Sequence, residues 1–129
     1  MWLFTKYGFF SVVSAKVQTG AASEYDLVVR ARSRKHLENL QTRFRELKRI
    51  EIFDNAGTDY QSRITVNKYL WADIMSTLTM EEIDYTNFKN KVGSGNDPSY
   101  TNSLHDVWSV MHAFGNGVEI EQWILGKKE

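Results

Sequence analysis

The chain has 129 residues, of which 42% are hydrophobic and 25% charged, and this length and composition fit one folded domain over residues 1–129. Sixteen basic and sixteen acidic residues give a formal net charge of zero, so no overall field attracts an anionic membrane or nucleic acid, and nucleic acid is not expected as a partner. The absence of cysteine excludes disulfides, thiol catalysis and thiolate metal sites.

The first residues do not have the pattern of a secretory signal, because Trp2, Leu3 and Phe4 are soon followed by the charged Lys6. No stretch approaches the roughly 20 apolar residues of a membrane span. A cytoplasmic protein without a membrane segment is therefore expected. We also expect no cofactor, since the chain contains no nucleotide-binding glycine loop, metal-ligand cluster or nucleophile motif.

The N-terminal part of the chain predicts strands. Residues 2–17 are rich in aromatic and β-branched types and are interrupted by Gly8, which predicts one bent strand or two short ones. Residues 18–23 are small and polar and predict a loop. Residues 25–32 then alternate as a second strand, with one face formed by Leu27, Val29 and Ala31 and the other by Val28, Arg30 and Arg32.

A helix and a hairpin are predicted next. Ser33 is a good N-cap, and the apolar residues that follow have helical spacing: Leu37, Leu40, Phe44 and Leu47. Residues 50–53 predict a short third strand. Residues 54–57 predict a turn, because Asn and Gly accept the positive φ that tight turns require. Residues 60–66 alternate and predict a fourth strand that pairs back on the third.

The C-terminal half predicts helices. Asn67 can cap one helix, Asp84 begins a short helical turn, and the pair Asp97-Pro98 begins the last amphipathic helix, which extends to Phe114. Residues 118–129 alternate only weakly and predict an edge strand or a partner-binding tail.

This order of elements, ββαββα with a further helix, predicts the α+β class. We expect a two-layer sandwich in which a four-stranded antiparallel sheet carries helices on one face, with a ferredoxin-like or circularly permuted ferredoxin-like topology. The other face of the sheet would be open, and a functional site is expected there.

Arg30, Arg32 and Arg63 are predicted to lie together on that open face, by the alternation of their strands. Three guanidinium groups can hold a phosphate or a carboxylate, because arginine presents a planar fork of donors. The alternatives are a hydrated dimer face or pairing with acidic residues of the chain, namely Glu24, Glu51 or Asp59.

Candidates for acid–base chemistry are few. Asp59 and Tyr60 lie where the predicted turn leads into a strand, and Asp59 can instead hydrogen-bond its own turn. His105 is a candidate general acid or base. His105 and His112 are two helical turns apart, about 10 Å along the axis, which is too far for one metal ion, so no metal site is expected.

Several segments together resemble a family of small, uncharacterised bacterial proteins without an established activity, so the resemblance implies no mechanism. The segments are Phe4 to Val13, Val29 to Arg32, Ala56 to Tyr60 with Arg63, Asp84 and Tyr85 with Asn87 to Lys89, and His105 to Met111. Their polar residues exceed what packing requires and predict an anion-accepting pocket edged by aromatic rings. Its expected ligand-binding residues are Lys6, Arg30, Arg32, Arg63, Asn87 and Lys89.

The leading functional hypothesis is a binding module that recognises an anionic small ligand or a partner protein, with a homo-oligomer formed through the open sheet face or the tail. One alternative is an enzyme acting on a phosphate- or carboxylate-bearing substrate, with His105 or Asp59 as the general acid–base and Arg63 as an oxyanion clamp. The other is a structural or inhibitory partner-binding protein. The absence of a catalytic motif favours the first.

Overall fold

A computed structural model describes residues 1–15, 23–55 and 57–119. The chain divides into two compact units, Met1–Asp84 and Tyr85–Glu129. The predicted loop at 18–23 lies outside the described residues except for Ser23, and so does the predicted C-terminal segment beyond residue 119. One domain over the whole chain stays a prediction.

The first unit is a sheet covered by helices. Its four strands are antiparallel and follow one another across the sheet in chain order: β1 (Trp2–Thr5), β2 (Gly8–Ser14), β3 (Asp26–Ala31) and β4 (Ser62–Asn67). The helices are α1 (Arg34–Arg43), a 3-10 helix (Arg45–Arg49) and α2 (Lys68–Glu82). This confirms the α+β class with a four-stranded antiparallel sheet. A ferredoxin-like sheet interleaves its strands through βαβ units, so the sequential order does not confirm that topology.

The apolar N-terminal segment forms two short strands, β1 and β2, rather than one bent strand. The turn between them is organised by Thr5, whose hydroxyl donates to the carbonyl of Gly8 at 3.0 Å and accepts from the backbone N–H of Tyr7 and of Gly8. Gly8 has a φ of 150° and lies against the ring of His36. A side chain would not fit there, which explains the glycine within the aromatic run.

The predicted third strand at residues 50–53 does not form. Only Phe53 pairs, in a single bridge with Arg63, while β4 pairs over its whole length with β3, from Asp26↔Asn67 to Ala31↔Ser62. A three-residue apolar pattern does not specify its partner, and the longer β3 offers β4 more backbone hydrogen bonds. The order in the first unit is therefore βββαβα.

The hydrophobic core lies between the sheet and its helices. Alternate residues of β2, β3 and β4 point into it and meet the apolar faces of α1 and α2, and its members include Phe10, Val12, Val29, Ala31, Leu37, Leu40, Ile64, Val66, Trp71 and Ile74. The predicted alternation of β3 is thus confirmed, with Arg30 on the face opposite the helices. That face is not uniformly exposed, because Ser11 and Val28 on it are buried.

The helix caps agree in part with the sequence. The side chain of Asn67 accepts from the N–H of Tyr69 at 2.9 Å and caps α2 as predicted. Ser33 occupies the N-cap position of α1, but its side chain makes no capping hydrogen bond. Phe44 follows the end of α1 instead of continuing it, and is nevertheless buried.

The second unit contains α3 (Phe88–Gly93) and α4 (Pro98–Gly115). Asp97 caps α4 by accepting from the N–H of Tyr100 at 3.1 Å, as the Asp-Pro pair predicted. The start predicted at Asp84 is three residues early, because Asn87 is the N-cap of α3. In the part of the chain that the structure describes, no helix is both long and apolar enough to span a membrane.

Candidate functional site

A row of five side chains crosses the sheet on the face opposite the helices. Each is the register partner of the next, in the order Trp2, Ser11, Arg30, Arg63 and Phe53. Directly opposed residues of antiparallel strands project to the same side, with Cβ atoms about 5 Å apart. Their chain neighbours Phe10, Val29, Ile52 and Ile64 belong to the core, so these five, here named the transverse row, point away from it.

At the centre of the transverse row, two arginines oppose each other directly. The Nη2 group of Arg30 donates to the hydroxyl of Ser11 at 2.6 Å. Arg63 donates through Nη2 to the hydroxyl of Thr58 at 2.8 Å and to the carbonyl of Tyr60 at 3.3 Å. All of these acceptors are neutral. The pair therefore places two positive charges side by side on neighbouring strands, an arrangement that is unfavourable by itself.

Neither arginine of this pair has a carboxylate partner among the described residues. The Nε atoms of Arg30 and Arg63 are buried and have no hydrogen-bond partner within the same residues. A buried donor without an acceptor costs about 1–3 kcal/mol. Charge and hydrogen-bonding capacity are thus both left unmatched at one point of the sheet.

Arg32 lies beside this pair but has an acidic partner. Its Nη2 is 2.6 Å from Oδ2 of Asp59, and this hydrogen bond raises the pKa of Arg32. The guanidinium groups of Arg32 and Arg30 are each 4.5 Å from the centre of the Tyr60 ring, within cation–π distance. Tyr60 was predicted within the fourth strand. It instead precedes β4, and its side chain is buried against these two arginines.

Aromatic rings lie beside the arginines on this face of the sheet. Phe9 stacks on Phe4 with ring centres 4.6 Å apart, meets Trp2 edge-on at 5.9 Å and lies 6.4 Å from Tyr60. The two ends of the transverse row are exposed, with 70% of Trp2 and 68% of Phe53 accessible. The surface that results is a cationic centre between aromatic edges.

The connection from Phe53 to β4 is held by Asp54, at its start, which contacts both α1 and β4. Asp54 forms an ion pair with Arg34 and accepts from the hydroxyl of Ser62 at 2.7 Å. Asn55 and Gly57 have positive φ, as predicted for this turn. These contacts fix where the chain enters β4, and with it the position of Arg63.

Lys6, a predicted ligand-binding residue, lies in a different group. We name Lys6, Tyr7, Arg43 and Glu82 the Glu82 cluster. Oε2 of Glu82 is 2.5 Å from Nζ of Lys6 and accepts from the hydroxyl of Tyr7 at 2.9 Å, while Oε1 is 2.5 Å from Nε of Arg43. The cationic charge of Lys6 is therefore matched by a carboxylate.

The pKa values of Glu82 and Tyr7 are both shifted within the Glu82 cluster. Burial alone would raise the pKa of Glu82, but hydrogen bonds from Lys6, Arg43 and Tyr7 outweigh burial and lower it to about 2. Burial and the hydrogen bond to Glu82 raise the pKa of Tyr7 to about 12. The sequence does indicate that Glu82 is buried, because Glu82 follows Leu78 by one helical turn and so continues the apolar side of α2.

Three further predicted residues belong to the second unit. The side-chain oxygen of Asn87 caps α3 by accepting from the N–H of Asn90 at 3.1 Å. Nζ of Lys89 lies 4.7 Å from the ring centre of Trp108, which is a cation–π contact. His105 is exposed on α4. Each of these contacts is made within the second unit.

Among the predicted ligand-binding residues, Arg30, Arg32 and Arg63 therefore lie together in the first unit. Residues 1–15, 23–55 and 57–119 contain no group of three or more His, Cys, Asp or Glu side chains placed to hold a metal ion. Comparison of the chain with protein-family models, curated proteins and solved structures finds no match.

Proposed function

We propose that the protein is a binding module for a small anionic ligand bearing a phosphate or a carboxylate. Arg30 and Arg63 make the main contacts and Arg32 lies at the margin. One observation carries the proposal: Arg30 and Arg63 are direct cross-strand partners, and no carboxylate of the described residues neutralises either of them.

The physical reason is the free-energy cost of placing Arg30 and Arg63 opposite each other when no ligand is bound. Like charges directly opposed on neighbouring strands destabilise a sheet. An anion placed against both guanidinium groups turns this repulsion into two attractions and accepts several hydrogen bonds in the plane that arginine favours. A local rule that is broken without a compensating carboxylate is typical of a functional position.

The neutral contacts of the pair support the same function. The hydroxyls of Ser11 and Thr58 accept from Nη2 of Arg30 and Arg63, respectively, which holds each guanidinium in one orientation while leaving its charge intact. Preorganised donors lower the entropic cost of binding. The alternative of internal pairing with an acid applies to Arg32, through Asp59, and we expect Arg32 to contribute less.

The test measures thermal unfolding and isothermal titration calorimetry with inorganic phosphate, phosphate esters and small carboxylates. We expect a saturable stabilisation of the natural chain by at least one of these anions. The double variant Arg30→Gln/Arg63→Gln should lose it. The matched control Arg45→Gln/Arg49→Gln removes the same number of charges from exposed positions of the 3-10 helix and should keep it.

The unliganded proteins provide a second measurement. Because Arg30→Gln/Arg63→Gln removes a like-charge pair, this variant should be at least as stable as the natural chain when no anion is present. The proposal fails if none of these anions stabilises the natural chain in a saturable way. It fails equally if the double variant binds the anion as tightly as the control variant does.

A further inference from the structure

Phe53 is an exposed aromatic residue that pairs with Arg63 of the arginine pair. Its backbone N–H and carbonyl both bond Arg63, each at 2.9 Å, so the two residues form a hydrogen-bonded antiparallel pair. Phe53 is 68% exposed, and its ring makes none of the aromatic contacts found among the described residues. An exposed aromatic ring thus lies one strand away from the guanidinium group of Arg63 and two strands away from that of Arg30, and neither group has a counter-charge among the described residues.

The charge of the pair favours a phosphate monoester over a carboxylate. A phosphate monoester carries about −1.5 to −2 at pH 7, which balances the charges of Arg30 and Arg63, whereas one carboxylate leaves one of them unmatched. The Cα atoms of a hydrogen-bonded antiparallel pair are about 5.5 Å apart. A flat ring on Phe53 and a phosphate on Arg63 would therefore be separated by about the size of one sugar.

We propose that the ligand is a nucleoside monophosphate, with its phosphate on Arg30 and Arg63 and its base stacked on Phe53. This inference rests on the proposed function and specifies its ligand. Trp2, at the other end of the transverse row, is two strands from Arg30, about 10 Å. Its ring is already engaged edge-on with Phe9, so the base is assigned to Phe53.

The test compares three probes by calorimetry on the full chain: AMP, ribose 5-phosphate and adenosine. Base stacking on an aromatic side chain strengthens binding by about tenfold or more, so AMP should bind about tenfold more tightly than ribose 5-phosphate. Adenosine, which lacks the phosphate, should bind much more weakly than AMP. Phe53→Leu should abolish the preference for AMP while leaving the affinity for ribose 5-phosphate unchanged.

Two further variants complete the test. The matched control Trp2→Leu removes the other exposed ring and should keep the preference for AMP. Phe53→Trp should keep or increase it, and remains informative if Phe53→Leu folds poorly. Equal affinities of the natural chain for AMP and ribose 5-phosphate would overturn the nucleotide assignment and leave the anion-binding function standing. Loss of the preference in Trp2→Leu would also overturn it, whereas failure of every phosphate and carboxylate to bind refutes the proposed function itself.

Discussion

Replacement of Glu82 by glutamine tests how much one carboxylate stabilises the first unit. Glu82 is only 9% exposed, and its pKa lies at about 2 instead of the ordinary 4.5. Each pKa unit corresponds to about 1.4 kcal/mol, so the shift is equivalent to roughly 3 kcal/mol. Solvent reaches the cluster through Lys6 and Arg43, whose side chains are 25% and 34% exposed, and screening reduces the value to about 2 kcal/mol.

The pH dependence of this contribution has a definite sign. Because the folded protein lowers the pKa of Glu82, the stabilisation is fully present above the unfolded value near 4.5 and is lost as the pH falls toward about 2. Glu82→Gln cannot ionise at this position. The difference in unfolding free energy between the two proteins should therefore shrink steadily between pH 5 and pH 2.

The assay is urea denaturation followed by tryptophan fluorescence at pH 7, 5, 4 and 3. The matched control is Glu81→Gln, the neighbouring acid, which has a 65% exposed side chain and pairs only with Arg43 among the ion pairs described. Glu81→Gln should lower the free energy of unfolding by less than about 1 kcal/mol. Equal destabilisation of the two variants at pH 7 would contradict this role of Glu82, and so would a difference for Glu82→Gln that does not change between pH 5 and pH 3.

The remaining predictions concern backbone and capping positions and are measured by the same denaturation. Gly8→Ala should cost about 2–4 kcal/mol, because the new Cβ would lie 2.6 Å from Nδ1 of His36 and closer still to its carbon atoms. Gly115→Ala, with no atom within 4 Å of the new Cβ, should be nearly neutral, and similar costs for both would contradict the steric argument. Asn67→Ala should cost about 1 kcal/mol because it removes the cap of α2. Ser33→Ala should cost less than half as much, since Ser33 makes no capping bond, and an equal loss would contradict this account.

Local sequence patterns were sufficient to predict burial where the alternation of side chains along a strand decides which residues face the core. The period of two in residues 27–31 placed Val29 and Ala31 in the core and Arg30 on the opposite face, as the structure has them. The partner of a strand is a non-local property, and for this reason the sequence wrongly paired β4 with residues 50–53. The same limit applies to Tyr60, whose ring position depends on arginines that lie about 30 residues earlier in the chain.

The Glu82 cluster shows most clearly that local sequence patterns do not predict contacts between residues far apart in the chain. Lys6 lies in the turn between β1 and β2, Arg43 in α1 and Glu82 in α2, and the bond between Tyr7 and Glu82 joins residues 75 positions apart. No local period connects them. Only the position of Glu82 on the apolar side of α2 indicated that its carboxylate would be buried and would need cationic partners.

The separation of the residues in the Glu82 cluster also has a consequence during synthesis on the ribosome. Residue 6 emerges before Glu82, which lies at the end of α2, two positions before the first unit ends. Until translation reaches that residue, the ammonium group of Lys6 and the guanidinium of Arg43 lack their common anion. The nascent β1–β2 hairpin and α1 can form earlier. The ion pairs of Lys6 and Arg43 with Glu82 must form late, when nearly all of this unit has been made.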